Sequence, residues 1–127
     1  MPIQKKVMIV EDSGTVRHEV RLLLQKIGIP LVEVANGLGM FNVIDEYGKQ
    51  VDLIIMDLTL KDEDGLDLIK MLKSNDRYKD IPVVILTEHA DKDHVLRARE
   101  LGISDYLRKP IKRDEFIDRV KVLLGIE

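Results

Sequence analysis

The feature that most constrains the fold of this chain is an alternation, repeated five times, between a short apolar run and a longer amphipathic stretch. The apolar runs predict β-strands over 6–10, 31–35, 51–57, 81–87 and 104–109. Apolar residues at helical spacing predict five helices, which lie after Ser13, over 38–46, after Gly65, over 91–101 and over 112–124. Strands with so few polar residues are typical of a parallel sheet covered on both faces. Right-handed crossovers then make a doubly wound three-layer α/β/α sandwich.

The composition limits the classes of function. The chain has 127 residues, 45% hydrophobic and 34% charged, so we expect one folded domain over residues 1–127, free-standing or within a longer chain. The net charge of −3 argues against direct nucleic-acid binding, and the lack of cysteine excludes a thiolate metal site. The sequence shows neither a signal peptide nor an apolar run of membrane-spanning length. We therefore expect a cytoplasmic protein with no membrane partner.

Polar residues stand where four of the predicted strands end. They are Glu11 and Asp12 after the first strand, Asp57 at the end of the third, Thr87 at the end of the fourth and Lys109 after the fifth. Because the carboxyl ends of parallel strands meet at one edge of the sheet, we expect these five side chains to converge. Taken alone, Asp57 is an ordinary strand-ending residue. The presence of the other four polar residues at matching strand ends is what predicts a functional site.

The chemistry of this set points to phosphoryl transfer. Three clustered carboxylates repel one another, so at neutral pH they bind protons or a cation. An all-oxygen set without cysteine or a nearby histidine suits a hard ion, Mg²⁺ above all, with Mn²⁺ as a substitute. A lysine ammonium and a threonine hydroxyl suit the oxygens of a phosphoryl group. The set therefore supports transfer of a phosphoryl group onto a carboxylate.

Four motifs in order carry a family resemblance. They are "VEDS" after the first strand, "MDLTLKDEDG" at the third, "ILTE" at the fourth and "YLRKP" at the fifth. The chain resembles, over essentially its whole length, the response-regulator receiver domain of two-component signalling, the CheY-like family. The resemblance implies a flavodoxin-like fold with five parallel strands in the order 2-1-3-4-5.

The resemblance also implies a role for each residue at the strand ends. Asp57 is expected to accept a phosphoryl group from a sensor histidine kinase or a histidine phosphotransfer protein. Glu11, Asp12 and Asp57 are expected to bind Mg²⁺ together with the backbone carbonyl of Thr59. Lys109 is expected to contact the phosphoryl group. No enzymatic turnover is implied beyond self-phosphorylation from small phosphodonors and self-dephosphorylation.

A switch follows from the same resemblance. Thr87 and Tyr106 are expected to move on phosphorylation, and the surface of the fourth helix, fifth strand and fifth helix is expected to change. That surface would contact a downstream protein target or output domain, or a second phosphorylated copy in a dimer. The bond between Lys109 and Pro110 is typically cis in this family.

Four positions bear on the rate and lifetime of phosphorylation. The family usually has a proline where this chain has Lys61, which predicts a less rigid loop. A small residue usually follows the threonine, whereas Glu88 is a bulky acid expected to impede or repel a phosphodonor. Thr59 and His89 occupy the two family positions that influence loss of the phosphoryl group.

Two other groups of polar residues are interpreted as structural. The acidic run 62–64 is predicted to be a solvated loop ending in a helix cap. His18, His89 and His94 lack the spacing of metal ligands, so we expect surface histidines.

Two alternative functions stay open. A haloacid-dehalogenase-like phosphohydrolase uses similar groups, but its nucleophile lies on the first strand with a second aspartate two residues later, where this chain has Thr59. A pseudo-receiver would bind partners without phosphorylation, although all five core residues are present.

Overall fold

The computed structural model of the protein describes residues 5–89 and 91–126. Its main strands are β1 (Val7–Val10), β2 (Leu31–Val34), β3 (Leu53–Met56), β4 (Val83–Thr87) and β5 (Asp105–Arg108). Its α-helices are α1 (Gly14–Gln25), α2 (Gly37–Tyr47), α3 (Gly65–Lys73), α4 (Lys92–Glu100) and α5 (Arg113–Leu124). Every predicted strand and helix is confirmed, and where both ends were predicted they lie within two residues of the observed ones.

The five main strands form one parallel sheet in the order β2-β1-β3-β4-β5, as predicted. In this register Val7 of β1 lies opposite Leu31 of β2 on one side and Leu53 of β3 on the other. The strand order reverses beside β1, so helices on opposite faces leave a crevice at the carboxyl ends of β1 and β3. That crevice is the expected place for a functional site.

The central strands separate two hydrophobic cores. All residues of β1, β3 and β4 are buried, and neighbouring residues along each strand face opposite layers. Met8 and Ile54 pack in one core with side chains of α2, α3 and α4, whereas Val7 and Leu53 pack in a second core with α1 and α5. This arrangement confirms the three-layer sandwich, and it gives the residues that follow the strands a firmly packed base.

Local signals set the helix ends. Ser13 is the N-cap of α1, as predicted, and its Oγ accepts a hydrogen bond from the Val16 N–H at 3.3 Å. Gly125 ends α5 in the left-handed conformation, with φ of 69°. Among the residues that the structure describes, no helix has both the length and the apolar character needed to cross a lipid bilayer.

Short elements interrupt two connections. Thr59–Leu60 and Glu63–Asp64 pair as a two-residue antiparallel ladder between β3 and α3, and Gly48–Gln50 forms a 3₁₀ turn before β3. These segments are too short to produce a periodic pattern, so the sequence did not predict them. The ladder closes the loop that borders the crevice.

Candidate functional site

Four strand ends bring the predicted residues to one edge of the sheet. Glu11 directly follows β1, Asp57 follows β3, and Lys109 follows β5. A cleft of about 230 Å³ opens there, and its walls include Glu11, Asp12, Asp57, Thr59, His89 and Lys109. Thr87, the last residue of β4, is fully buried and is not among the residues that line the cleft.

The three predicted metal ligands converge. Carboxylate oxygens of Glu11, Asp12 and Asp57 all lie within 4.8 Å of one another. Glu11 and Asp57 are buried, with only 1% and 5% of their surface exposed, whereas Asp12 is exposed at the rim. The donors are all oxygens, so the cluster fits a hard cation such as Mg²⁺ or Mn²⁺.

Lys109 lies between two of the carboxylates. Its Nζ is 2.7 Å from Glu11 Oε1 and 3.6 Å from Asp57 Oδ2, and its side chain is largely buried. The peptide bond from Lys109 to Pro110 is cis, as the resemblance implied. One ammonium therefore faces two buried carboxylates.

Glu11 is incompletely neutralised by this arrangement. Within the described residues its Oε2 atom is buried and has no hydrogen-bond partner. Burial raises the pKa of Glu11 to about 8; Asp57 adds to the rise, and the opposing effect of Lys109 does not cancel it. A buried carboxylate oxygen without a partner, beside a second buried carboxylate, is the environment in which a bound cation removes the largest penalty.

Backbone contacts hold Asp57 in place. Its N–H donates to the carbonyl of Val10 at 3.1 Å, and its Oδ1 accepts a hydrogen bond from the Thr59 N–H at 3.1 Å. Helix α3 begins in close contact with the backbone of Asp57. A Cβ atom on Gly65, its first residue, would lie 2.2 Å from the Asp57 carbonyl oxygen. Only glycine permits this approach. The Asp57 carboxylate is thus fixed from β1 and from the following loop.

The loop after β3 also contacts Asp12. The Lys61 N–H donates to Asp12 Oδ2 at 2.8 Å. A proline at this position, usual in the resembling family, has no N–H to donate. We predicted that Lys61 makes the loop less rigid than a proline would. That prediction did not include the hydrogen bond to Asp12, which only a non-proline residue can donate.

The two predicted switch residues both bond to the backbone of His89. The His89 N–H donates to Thr87 Oγ1 at 3.2 Å, and the Tyr106 hydroxyl donates to the His89 carbonyl. Tyr106 is half-buried on β5, and burial, with a smaller contribution from Asp91, raises the pKa of its phenol. Thr87 and Tyr106 are thus connected through one residue of the β4–α4 loop.

The acidic run 62–64 is not uniformly solvated. Asp64 caps α3 as predicted, with its Oδ1 accepting from the Leu66 N–H at 2.9 Å. Glu63 departs from the prediction, because it is half-buried and its Oε1 accepts from the Gly37 N–H at 2.9 Å, at the start of α2. No local signal reveals this contact, since the two residues are 26 positions apart.

Two residues outside the predicted site, Asp91 and His94, contact each other, and His94 also contacts His89, which lines the cleft. The rings of His89 and His94 are stacked, with centroids 5.2 Å apart and planes 18° apart. Asp91 is the N-cap of α4 and bonds to His94. Aspartate is a preferred N-cap residue, and its position at the start of the helix predicted over 91–101 was the available signal for this cap.

A family model for the response regulator receiver domain matches residues 7–121. The polar-differentiation response regulator DivK of Brucella anthropi is 36% identical over 121 residues, which cover 95% of this chain and 97% of DivK.

Two solved structures extend the likeness. The signal receiver domain of a signal transduction histidine kinase from Syntrophus aciditrophicus is 32% identical, with a TM-score of 0.85, and the match covers 95% of this chain and 90% of that one. The Mn²⁺-bound form of response regulator Rcp1 is 29% identical, with a TM-score of 0.76 and coverage of 95% and 90%. Both likenesses span nearly all of each chain, so they concern the whole fold and not one motif.

Proposed function

This chain belongs to the response regulator receiver family of two-component signalling, and on that premise we propose that Asp57 accepts a phosphoryl group from a phosphohistidine. Receiver domains are signalling switches and generally not enzymes. The phosphodonor would be a sensor histidine kinase or a histidine phosphotransfer protein. The observation that carries the proposal is the buried Asp57 carboxylate, 3.6 Å from Lys109 Nζ and within the three-carboxylate cluster.

The transfer step needs a positioned nucleophile and compensation of charge. A carboxylate oxygen of Asp57 forms a new O–P bond, the P–N bond of the phosphohistidine breaks, and its electron pair stays on the imidazole nitrogen. A hydrogen bond from the Thr59 N–H orients the Asp57 carboxylate. Lys109, which contacts the carboxylates of Glu11 and Asp57, would offset the negative charge that the phosphoryl oxygens bring.

Mg²⁺ is the proposed cofactor, with Mn²⁺ as a substitute. The carboxylates of Glu11, Asp12 and Asp57 would hold it with the backbone carbonyl of Thr59. The buried, unpartnered Oε2 of Glu11 supports this assignment, and the related Rcp1 is known in a Mn²⁺-bound form. When bound, the ion neutralises charge on the transferring phosphoryl group.

The proposed output surface is the α4–β5–α5 face. Thr87 and Tyr106 would rearrange around the phosphorylated Asp57, because phosphorylation adds roughly one further negative charge and new acceptor oxygens. Both residues bond to His89, so movement of one is transmitted to the other. A groove of about 250 Å³ between α4 and β5 is lined by residues that include Val95 and Tyr106, and it supports a site for a cytoplasmic target, an output domain or a second copy.

The decisive test is labelling of the purified chain with acetyl phosphate or a cognate kinase in the presence of Mg²⁺. We expect one phosphoryl group, released by hydroxylamine as an acyl phosphate is, on the wild type and none on Asp57→Asn. Asp62→Asn is the matched control, since Asp62 is an exposed loop aspartate close in sequence, and it should label like the wild type.

Three outcomes would contradict the proposal. Equal labelling of Asp57→Asn would move the acceptor elsewhere. A wild type that responds to no phosphodonor, nor to beryllium fluoride with Mg²⁺, would indicate a pseudo-receiver that binds partners without phosphorylation. Sustained multiple turnover of a general phosphatase substrate would indicate a phosphohydrolase.

A further inference from the structure

Asn36 and Gly37 form a chemically labile dipeptide. The backbone nitrogen of the residue after an asparagine can attack the side-chain amide carbon, and glycine hinders this attack least because it has no Cβ. Asn36 is the N-cap of α2 and is exposed, whereas Gly37 is the first residue of the helix and is buried. The sequence thus places an asparagine with the most reactive kind of neighbour at the surface of the protein.

Packing against the β3–α3 connection explains this pair of residues. A Cβ on Gly37 would lie 2.5 Å from Glu63 Oε2 and 2.7 Å from Leu68 Cδ2. Any other residue at this position would therefore push the Glu63 carboxylate away from the start of α2. The preceding position is an N-cap, where asparagine is among the most favourable residues. The labile pair is thus a consequence of how α2 begins against its neighbours.

Glu63 contacts the nitrogen that would make the attack. Its Oε1 accepts a hydrogen bond from the Gly37 N–H at 2.9 Å, and Glu63 is half-buried. This nitrogen must lose its proton before it forms a bond to carbon. A carboxylate is a far weaker base than an amide anion, so Glu63 cannot remove that proton. Its negative charge instead disfavours the anion, and the contact therefore protects Asn36.

The N-cap geometry also keeps the reacting atoms apart. Asn36 Oδ1 accepts a hydrogen bond from the Gly39 N–H at 2.9 Å, which fixes the side-chain amide against the first turn of α2. Closure of a five-membered ring needs the Gly37 nitrogen and the Asn36 Cβ to be nearly eclipsed about the bond from Cα to the carbonyl carbon. The backbone torsion ψ of Asn36 is 176°, which leaves these two atoms staggered. Ring closure therefore requires a rotation that disturbs both hydrogen bonds.

We propose that Asn36 is a site of spontaneous deamidation and that Glu63 controls the rate of this modification in the folded protein. In the reaction the Gly37 nitrogen forms a bond to Asn36 Cγ, and the bond from Cγ to Nδ2 breaks. Ammonia leaves with the electron pair of that bond and with the proton that the Gly37 nitrogen gave up. Water then opens the succinimide at either carbonyl, which leaves an aspartate or an isoaspartate at position 36.

The two products differ at the helix start. An aspartate keeps a side-chain oxygen that caps α2. An isoaspartate puts an extra methylene into the main chain before Gly37, so the Gly37 N–H is moved from its place opposite Glu63. Glu63 belongs to the short ladder between β3 and α3, so the isoaspartate product uncouples α2 from that ladder. Deamidation needs only water, and its outcome is independent of the proposed phosphorylation of Asp57.

The test follows deamidation of the full chain by peptide mass spectrometry during incubation at mildly alkaline pH. In urea, where the fold is lost, Asn36 should deamidate faster than Asn75, which precedes Asp76 and not glycine. In the folded wild type the Asn36 rate should be at least about 10-fold lower than in urea, because a hydrogen bond to a charged group must break first. Asn36→Ser keeps a cap oxygen and should show no mass change in this peptide.

Variants of Glu63 measure the protection directly. Glu63→Ala should raise the Asn36 rate in the folded protein by about 10-fold, and Glu63→Gln, which keeps an acceptor without the charge, by about 3-fold. Asp64→Ala is the matched control. It removes the cap of α3 at a similar cost in stability but leaves the contact between Glu63 and Gly37 in place. Its Asn36 rate should stay within about 2-fold of the wild type.

Several results would overturn the assignment. An unchanged Asn36 rate in Glu63→Ala would show that the contact gives no protection, and a slower rate would show that Glu63 promotes the reaction. Equal acceleration by Asp64→Ala would trace the effect to overall stability. A folded wild type that deamidates at Asn36 as fast as the chain in urea would remove the protection altogether. Circular dichroism before each incubation shows that the compared variants are folded.

Discussion

Two groups of three carboxylates lie close together in this molecule and have different surroundings. The site carboxylates are Glu11, Asp12 and Asp57, and the loop carboxylates are those of residues 62–64. The first group follows two strands, β1 and β3, has two buried members, and includes, among the described residues, a buried oxygen without a hydrogen-bond partner. In the second group, two members accept backbone hydrogen bonds at helix starts, and Asp62 is exposed with φ of 62°.

The difference gives a physical basis for separating the acidic cluster that we propose to be functional from a structural one. The loop carboxylates have the greater density of charge along the sequence, but helix N-termini satisfy two of them. The site carboxylates line one cleft, where the Lys109 ammonium contacts two of them. A ligand cation is stabilised where the fold leaves the negative charge of the carboxylates incompletely neutralised. Where hydrogen bonds or cations already neutralise that charge, a ligand adds little.

The largest expected contrast is in metal binding. Asp12→Asn should weaken Mg²⁺ binding by at least about 10-fold, because one of the three proposed carboxylate ligands loses its charge. Asp62→Asn should leave the affinity unchanged. Isothermal titration calorimetry measures both, since the chain has no tryptophan to report binding by fluorescence. Equal weakening by the two substitutions would remove the distinction between the groups.

The second contrast is in the pH dependence of stability. The pKa of Glu11 is raised from 4.5 in its ordinary state to about 8 in the folded protein. Between these two values the native state binds more protons than the unfolded state. The contribution of Glu11 to stability is therefore full below pH 4.5 and is lost as the pH rises through about 8. Urea unfolding of metal-free protein should show this loss. The loss of stability with rising pH should be absent in Glu11→Gln and retained in Glu63→Gln. An equal pH dependence of stability in the two variants would contradict this prediction.

The third contrast concerns the loop carboxylates. Asp64→Ala and Glu63→Ala should each lower the free energy of unfolding by about 1 kcal/mol, because each leaves a helix-terminal N–H without its acceptor. Asp64→Ser and Glu63→Gln keep an acceptor oxygen and should cost less. Denaturant unfolding measures the change. A loss of Mg²⁺ affinity without a loss of stability would assign these residues to the other group.

The smallest expected effect tests the link between the two regions. Lys61→Pro removes the N–H that donates to Asp12, so Asp12 is less well oriented for a cation. We expect Mg²⁺ affinity to fall by a few-fold, about 0.5–1 kcal/mol, since Asp12 is exposed. Lys61→Ala keeps the N–H and serves as the control. An affinity that rises in Lys61→Pro would show that the tether competes with the ion.

Most of the fold could be read from local patterns. The apolar runs that became β1 and β3, and the helical spacing that followed them, depend on neighbours a few residues away, so their periods are visible in the sequence. The parallel topology then predicts that Glu11, Asp57 and Lys109 come together, because successive strands of such a sheet end at the same edge. The family resemblance supplied the strand order.

The details of the site could not be read in this way. The contacts from Glu63 to Gly37 and from Lys61 to Asp12 join residues 26 and 49 positions apart. Each depends on how two loops meet after the layers have packed. The stacked pair His89 and His94 depends on side-chain torsions at the start of α4, which no hydrophobic pattern encodes.

The sequence by itself therefore determined which residues reach the edge of the sheet, since strand period and chain direction follow from local chemistry. Only the tertiary structure decided which of the acids are compensated there. It buried Glu11 beside Asp57 with the Lys109 ammonium against both, and it placed two of the three loop carboxylates, Glu63 and Asp64, at helix starts. The physical reason is that the energy of a charge depends on burial and on the partners around it, and both are set by segments remote in the chain.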